Sequence, residues 1–102
     1  MPGVGKLLKQ AQKMQKAMEA VQAELETLTI EGSAAGGAVK ATVNGQGTIK
    51  GIKIDPEFLK EDVESVEASI LAAIEDAVTK AKAEGQTRMS NVTGGFSVPG
   101  LF

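Results

Sequence analysis

The chain has 102 residues, eleven basic and thirteen acidic side chains, 42% hydrophobic and 3% aromatic residues, and neither Cys nor His. Such a length supports one domain burying roughly two thirds of the surface its unfolded chain exposes, so a deep catalytic cleft would compete with a modest core. Without Cys or His there is no disulfide framework, no thiolate or imidazole metal site, no Ser-His relay and no Cys nucleophile, and the sequence predicts neither an enzyme nor a cofactor or metal site.

The opening Met1-Pro-Gly-Val-Gly-Lys6 leads into a Lys- and Gln-rich stretch without an unbroken apolar run. That predicts neither a signal peptide nor a membrane span, hence a cytoplasmic protein. Gly3-Val-Gly-Lys6 echoes a phosphate-binding loop only superficially, since the preceding strand, the full Gly spacing and a following Ser or Thr are missing. Leu7, Ala11, Met14, Met18, Val21, Leu25 and Leu28 recur at alternating spacings of four and three, the pattern of a helix packing along a narrow seam. Three heptads give a helix of roughly 22 residues, about 33 Å long. Gly3 and Gly5 predict a frayed start, and the strand-favouring Thr27-Leu-Thr-Ile30 places Leu28 outside the helix.

Residues 28–55 read as an antiparallel meander. Leu28 and Ile30 alternate with Thr29 and Glu31, residues 32–37 read as a flexible small-residue connection, and Val39, Ala41 and Val43 alternate with Lys40 and Thr42. Asn44-Gly45 predicts a type I′ hairpin. The third strand carries Ile52 and Ile54 in one phase and Ile49 out of it, which beside Gly51 predicts a bulge.

Asp55-Pro56 predicts a capped turn through residues 57–59, after which a second helix starts near Asp62. Val63, Val66, Ile70, Ile74, Ala77 and Ala81 recur at helical spacing, with Leu71 and Val78 widening the stripe. One internal Gly85 costs only about 1 kcal/mol, so the helix is expected to reach about residue 90, leaving residues 91–102 as a mobile tail. The whole reads as one α+β domain: helix, three-stranded antiparallel sheet, helix. Strands of about seven residues span some 23 Å, less than the first helix, so its seam cannot be covered within one subunit. A homodimer follows.

The net charge of −2 hides alternating blocks: residues 1–18 carry four Lys and no acid, residues 19–39 four Glu and no base, and residues 40–53 three Lys and no acid. Residues 54–76 then hold eight acids against Lys60, and residues 77–102 hold Lys80, Lys82 and Arg88 against Glu84. Lys6, Lys9, Lys13 and Lys16 are spaced to form one stripe opposite the Leu7, Met14, Val21 seam, within roughly 15 Å along the axis. Duplex DNA offers about one phosphate charge per 1.7 Å, so such a row can neutralise several phosphates. The simpler reading is a solvated helix face. Against it, lysines near a helix N-terminus with Glu19, Glu24 and Glu26 toward the C-terminus oppose the macrodipole, an arrangement unfavourable to stability alone. Gln10, Gln12, Gln15 and Gln22 flank the stripe and can bond phosphates or simply favour helix. No aromatic residue interleaves with the lysines, which disfavours stacking on single strands and membrane insertion alike. The acids Glu57, Glu61, Asp62, Glu64 and Glu67 lack calcium-loop spacing and read as a solvated face.

Leu7-Leu-Lys-Gln-Ala-Gln-Lys-Met-Gln15, Glu31-Gly32, Gly37-Ala-Val-Lys40, Val43-Asn-Gly45, Ile54-Asp-Pro56 with Leu59, Asp76-Ala77, Gly94-Gly95 and Pro99-Gly100, in this order, resemble the YbaB/EbfC family of bacterial nucleoid-associated proteins. The resemblance implies a tweezer-like homodimer with helices projecting from a joined central sheet, binding double-stranded DNA in the nucleoid, with roles in nucleoid organisation and gene regulation. Carried over by position, it nominates Lys6, Lys9, Lys13 and Lys16, with Lys80, Lys82 and Arg88 of the second helix, as DNA contacts. Leu7, Ala11, Met14, Met18, Val21 and Leu25 would form the packing seam. It implies no cofactor, small-molecule substrate or membrane. The alternative of another class is a protein-interaction module, using the seam or the Phe96 and Phe102 tail.

Overall fold

A computed structural model describes residues 2–95. Helix α1 spans Pro2–Thr27, strands β1 Ile30–Ala34, β2 Val39–Val43 and β3 Ile49–Ile54 follow, and helix α2 spans Val63–Gly95. Short 3₁₀ turns at Ala35–Gly37 and Phe58–Lys60 complete the order. The strands form one antiparallel meander in the order β1-β2-β3, the α+β arrangement expected from the sequence.

Helix α1 does not fray at Gly3 and Gly5 but begins at Pro2. Proline presets the first-turn φ and has no N–H to leave unpaired, and the good helix formers that follow outweigh about 1 kcal/mol per glycine. At the other end the Thr27 hydroxyl donates to the Glu24 carbonyl at 2.8 Å, closing the last turn, and Leu28 lies outside as expected.

Strand β1 is displaced from its expected position. Gly32, Ser33 and Ala34 are no loop: they pair with Ala41, Lys40 and Val39. A Cβ at Gly32 would run into the backbone of Ala73 and Ala77, lying 2.7 Å from the Ala77 Cα, so glycine lets α2 lie directly on the strand. Ala35, Gly36 and Gly37 all take positive φ and make the reversal instead.

The β2–β3 connection is not a type I′ hairpin. Positive φ falls at Gly47, the Gly47 amide donates to the Asn44 carbonyl and the Asn44 amide to that of Thr48, both at 3.0 Å, giving a longer loop. Gly45 is needed for proximity: its N–H donates to the Leu25 carbonyl at 2.7 Å, and a Cβ there would meet the Leu25 backbone and side chain. The buried Asn44 side-chain oxygen accepts the Gln46 and Thr48 amides, each at 3.0 Å, and stiffens the loop. The expected bulge is present: Val43 faces Ile49 while Thr42 faces Gly51, leaving Lys50 as the extra residue. The bulge returns Ile49 to the phase of Ile52 and Ile54, opposite Val43, Ala41 and Val39.

Helix α2 starts where Asp62 caps it, accepting the Ser65 amide at 3.1 Å and hydroxyl at 2.7 Å. These bonds hold the Asp62 carboxyl below its usual pKa. Its buried stripe is Ala73, Ala77 and Ala81, packed on Val39, Ala41 and Val43, with Ile70 and Ile74 at the margin. Leu71 and Val78, expected to widen the stripe, are exposed, as is Val63. The alanines are small enough to bring the helix axis close to the sheet, which leaves those larger side chains on its flanks. The helix passes the expected stop near residue 90 and continues through Asn91–Gly95, with the Thr93 hydroxyl donating back to the Met89 carbonyl at 3.2 Å. The rest of the expected tail, with Phe96 and Phe102, lies outside the described residues.

Candidate nucleic-acid interface

Helix α1 meets α2 only with its C-terminal half. Leu25 lies against Gly85 and Gln86, and Val21 and Glu24 lie beside Thr87, Arg88 and Asn91, so the helices run antiparallel. With equal rise per residue, the turns before Met14 extend beyond Gly95 of α2. The molecule is correspondingly long, 71 × 23 × 16 Å. Burial along the seam falls off in the same direction apart from Met18: Val21 and Leu25 are buried, Met18 is 36% exposed, Met14 half-buried, and Ala11 and Leu7, the latter 52% exposed, are open.

Lys6, Lys9 and Lys13 stand on this projecting segment and Lys16 one turn nearer the body; all four are exposed. Among the described residues none joins an ion pair. Their charge is therefore available to a ligand.

The basic residues of α2 are not equivalent to these. Lys80 pairs with Asp76 at 3.1 Å and donates to the Glu31 carbonyl at 3.2 Å. Asp76 in turn accepts the Ser33 amide at 3.0 Å, and that bond, with Lys80, holds its carboxyl below the usual range. Together they engage two outward backbone groups of the β1 edge, the Ser33 N–H and the Glu31 carbonyl. Arg88 bonds Glu84 at 2.8 Å and Glu24 of α1 at 3.0 Å, tying the helices together; Glu84 first, then Glu24, raise its already high pKa. Among the described residues Lys82 alone of the three is exposed and without an ion pair. The structure thus does not gather the seven nominated residues into one surface: four form a projecting row, and Lys80 and Arg88 bind the scaffold.

The family model described as the YbaB/EbfC DNA-binding family matches residues 1–96. The chain belongs to this family. It is 42% identical over 100 residues to a nucleoid-associated protein of Caldanaerobacter subterraneus subsp. tengcongensis, covering 97% of this chain and 90% of that one. To a nucleoid-associated protein of Acetivibrio thermocellus it is 47% identical over 107 residues, covering 99% and 95% of the two. A crystal structure of an uncharacterised protein from Helicobacter pylori superposes with a TM-score of 0.75 at 22% identity, covering 89% of this chain and 94% of that one, and shares the fold. No helix among the described residues is long and apolar enough to cross a membrane.

Sequence reading missed the contact that sets α2 on the sheet, Gly32 against Ala73 and Ala77, and the Glu24–Arg88–Glu84 link. Ala73, Ala77 and Ala81 at intervals of four signal a close helix approach. The ion pairs have no such sign, because Glu24 and Arg88 meet only after folding.

Proposed function

We propose that the protein is a homodimeric nucleoid-associated protein of the bacterial cytoplasm that holds duplex DNA mainly by its phosphates, through Lys6, Lys9, Lys13 and Lys16, and serves nucleoid organisation and gene regulation. Lys82 is the one basic residue of α2 that adds to this contact, while Lys80 and Arg88 hold the frame. The observation that carries the reading is the row of exposed lysines without ion pairs on the projecting part of α1, in a chain of a DNA-binding family. Glu19, Glu24 and Glu26 share α1 with the row but lie toward its C-terminal end, and among the described residues none pairs with a lysine of the row.

Two uncovered apolar surfaces support the dimer. One is the open half of the α1 seam. The other flanks β3: Ile49 and Ile52 share the core face of the sheet yet are 51% and 40% exposed, because α2 lies over β1 and β2. Leu71 and Val78, one heptad apart on the side of α2 turned away from Asp76 and Lys80, border the same trough. A second subunit covering both would leave the lysine arms projecting. The interaction-module reading also uses the exposed seam but gives the lysines no part.

Fluorescence anisotropy with a short duplex across a salt series, run beside light scattering, separates the two. Lys9→Glu with Lys13→Glu is expected to abolish salt-dependent binding while leaving a species of twice the chain mass. Unchanged affinity, or a flat salt dependence in the wild type, would contradict DNA binding through phosphates; a monomeric wild type would contradict the dimer.

A further inference from the structure

The α1 row is not the only exposed group of lysines. The sheet face opposite α2 carries Glu31, Ser33, Lys40, Thr42 and Lys53, and no helix packs on it. On this face Lys40 stands directly opposite Lys53. Like charges at directly opposed positions of neighbouring strands repel and weaken the sheet. The bulge adds a third charge. Ile49 and Ile52 both lie on the core side, so the extra residue Lys50 and Gly51 between them are carried on the outer side. Among the described residues Lys50 and Lys53 make no ion pair, and the only one made by Lys40, to Glu31, is long at 3.9 Å with both side chains about half exposed. A hollow of about 300 Å³ opens between Lys40, Lys53, Gly37 and the Asp55-Pro56 turn. The one carboxylate lining it, Asp55, accepts the Glu57 amide at 3.0 Å.

We propose that Lys40, Lys50 and Lys53 form a second phosphate-binding surface for duplex DNA, separate from the α1 row. The inference rests on the DNA-binding reading above and extends it to a different element. A phosphate seated between Lys40 and Lys53 turns their mutual repulsion into attraction to a shared anion. Lys50 and Lys53, three residues apart, are separated by roughly 10 Å along the strand, near enough for two long, flexible side chains to reach neighbouring phosphates of one DNA strand. The other role open to such residues is to guard the free edge of β3 against pairing with another sheet.

The test uses the full chain and a short duplex, titrated at several salt concentrations. The proteins are wild type, Lys50→Gln with Lys53→Gln, Lys9→Gln with Lys13→Gln, and all four changes together. Each lost phosphate contact flattens the slope of log affinity against log salt by about 0.9, so for each subunit engaged with the duplex a double variant is expected to lose about 1.8 and the quadruple variant about twice that. Without DNA, the sheet variant should melt no lower than wild type at low salt, because a repulsion has been removed. A sheet variant with wild-type slope overturns the proposal while leaving the α1 row intact, whether or not that variant self-associates. A sheet variant that melts lower at low salt overturns the opposed-charge argument. No salt-dependent binding by the wild type overturns the DNA reading itself and this proposal with it.

Discussion

Gly32 is the residue on which the close packing turns. Any side chain there meets the Ala77 backbone, which cannot swing aside as a flexible side-chain tip would. Gly32→Ala is expected to destabilise the fold by about 1–3 kcal/mol, read as a fall in the melting midpoint, whereas Gly51→Ala, with open space around its Cβ and no positive φ, should cost less. Asp76 provides the pH-dependent counterpart. Its folded pKa is depressed by the Ser33 amide and Lys80, so its contribution is complete above the ordinary Asp pKa of about 3.9 and is lost as pH falls through the lower folded value. Asp76→Asn should therefore melt below wild type at neutral pH, and thermal melts from pH 7 to pH 2 should show the difference closing on the acid side. A difference constant with pH would deny Asp76 this role. Both residues belong to the pieces that carry the family resemblance, but their structural roles are not legible there: Gly32 sits in a run of small residues that reads as a loop, and Asp76 looks like one more acid on a helix.

Among the elements, periodicity was a good guide wherever one face alone decides burial. The buried end of the α1 seam at Val21 and Leu25, the alternation of Val39, Ala41 and Val43, and the bulge at Lys50 were legible for that reason. It failed where a contact between elements overrides local preference. Asn44-Gly45 has the signature of a two-residue turn, but Gly45 is drawn against Leu25 and the positive φ moves to Gly47. Likewise the α2 stripe centres on alanines because the sheet lies close, which displaces Leu71 and Val78 to the flank. The helix pair makes the division between structural and ligand-binding charge testable. If Arg88 ties α1 to α2 rather than contacting DNA, Arg88→Gln should speed amide exchange in the α1 turns around Val21–Leu25 and leave the salt slope of DNA binding unchanged. A slope flattened by about 0.9 would instead make Arg88 a phosphate contact.

For the whole molecule, family membership accounts for DNA as the ligand, and the shape accounts for how an acidic chain can hold it. The +4 segment stands at the end of α1 that outreaches α2, while six of the thirteen acids gather at the other end of α2 and on the turn before it, and Glu19, Glu24 and Glu26 lie further along α1. Net charge is the wrong quantity for such an elongated body, because separations beyond about one Debye length, roughly 8–10 Å, are screened from each other. Lys6 to Lys16 alone span about 15 Å. The most direct test is an amide chemical-shift titration of the uniformly labelled protein with a short duplex. Shifts that begin at Lys6–Lys16 and spare Val63–Glu75 at the start of α2 are predicted; shifts confined to α2, or none at all, would contradict binding through the α1 lysines.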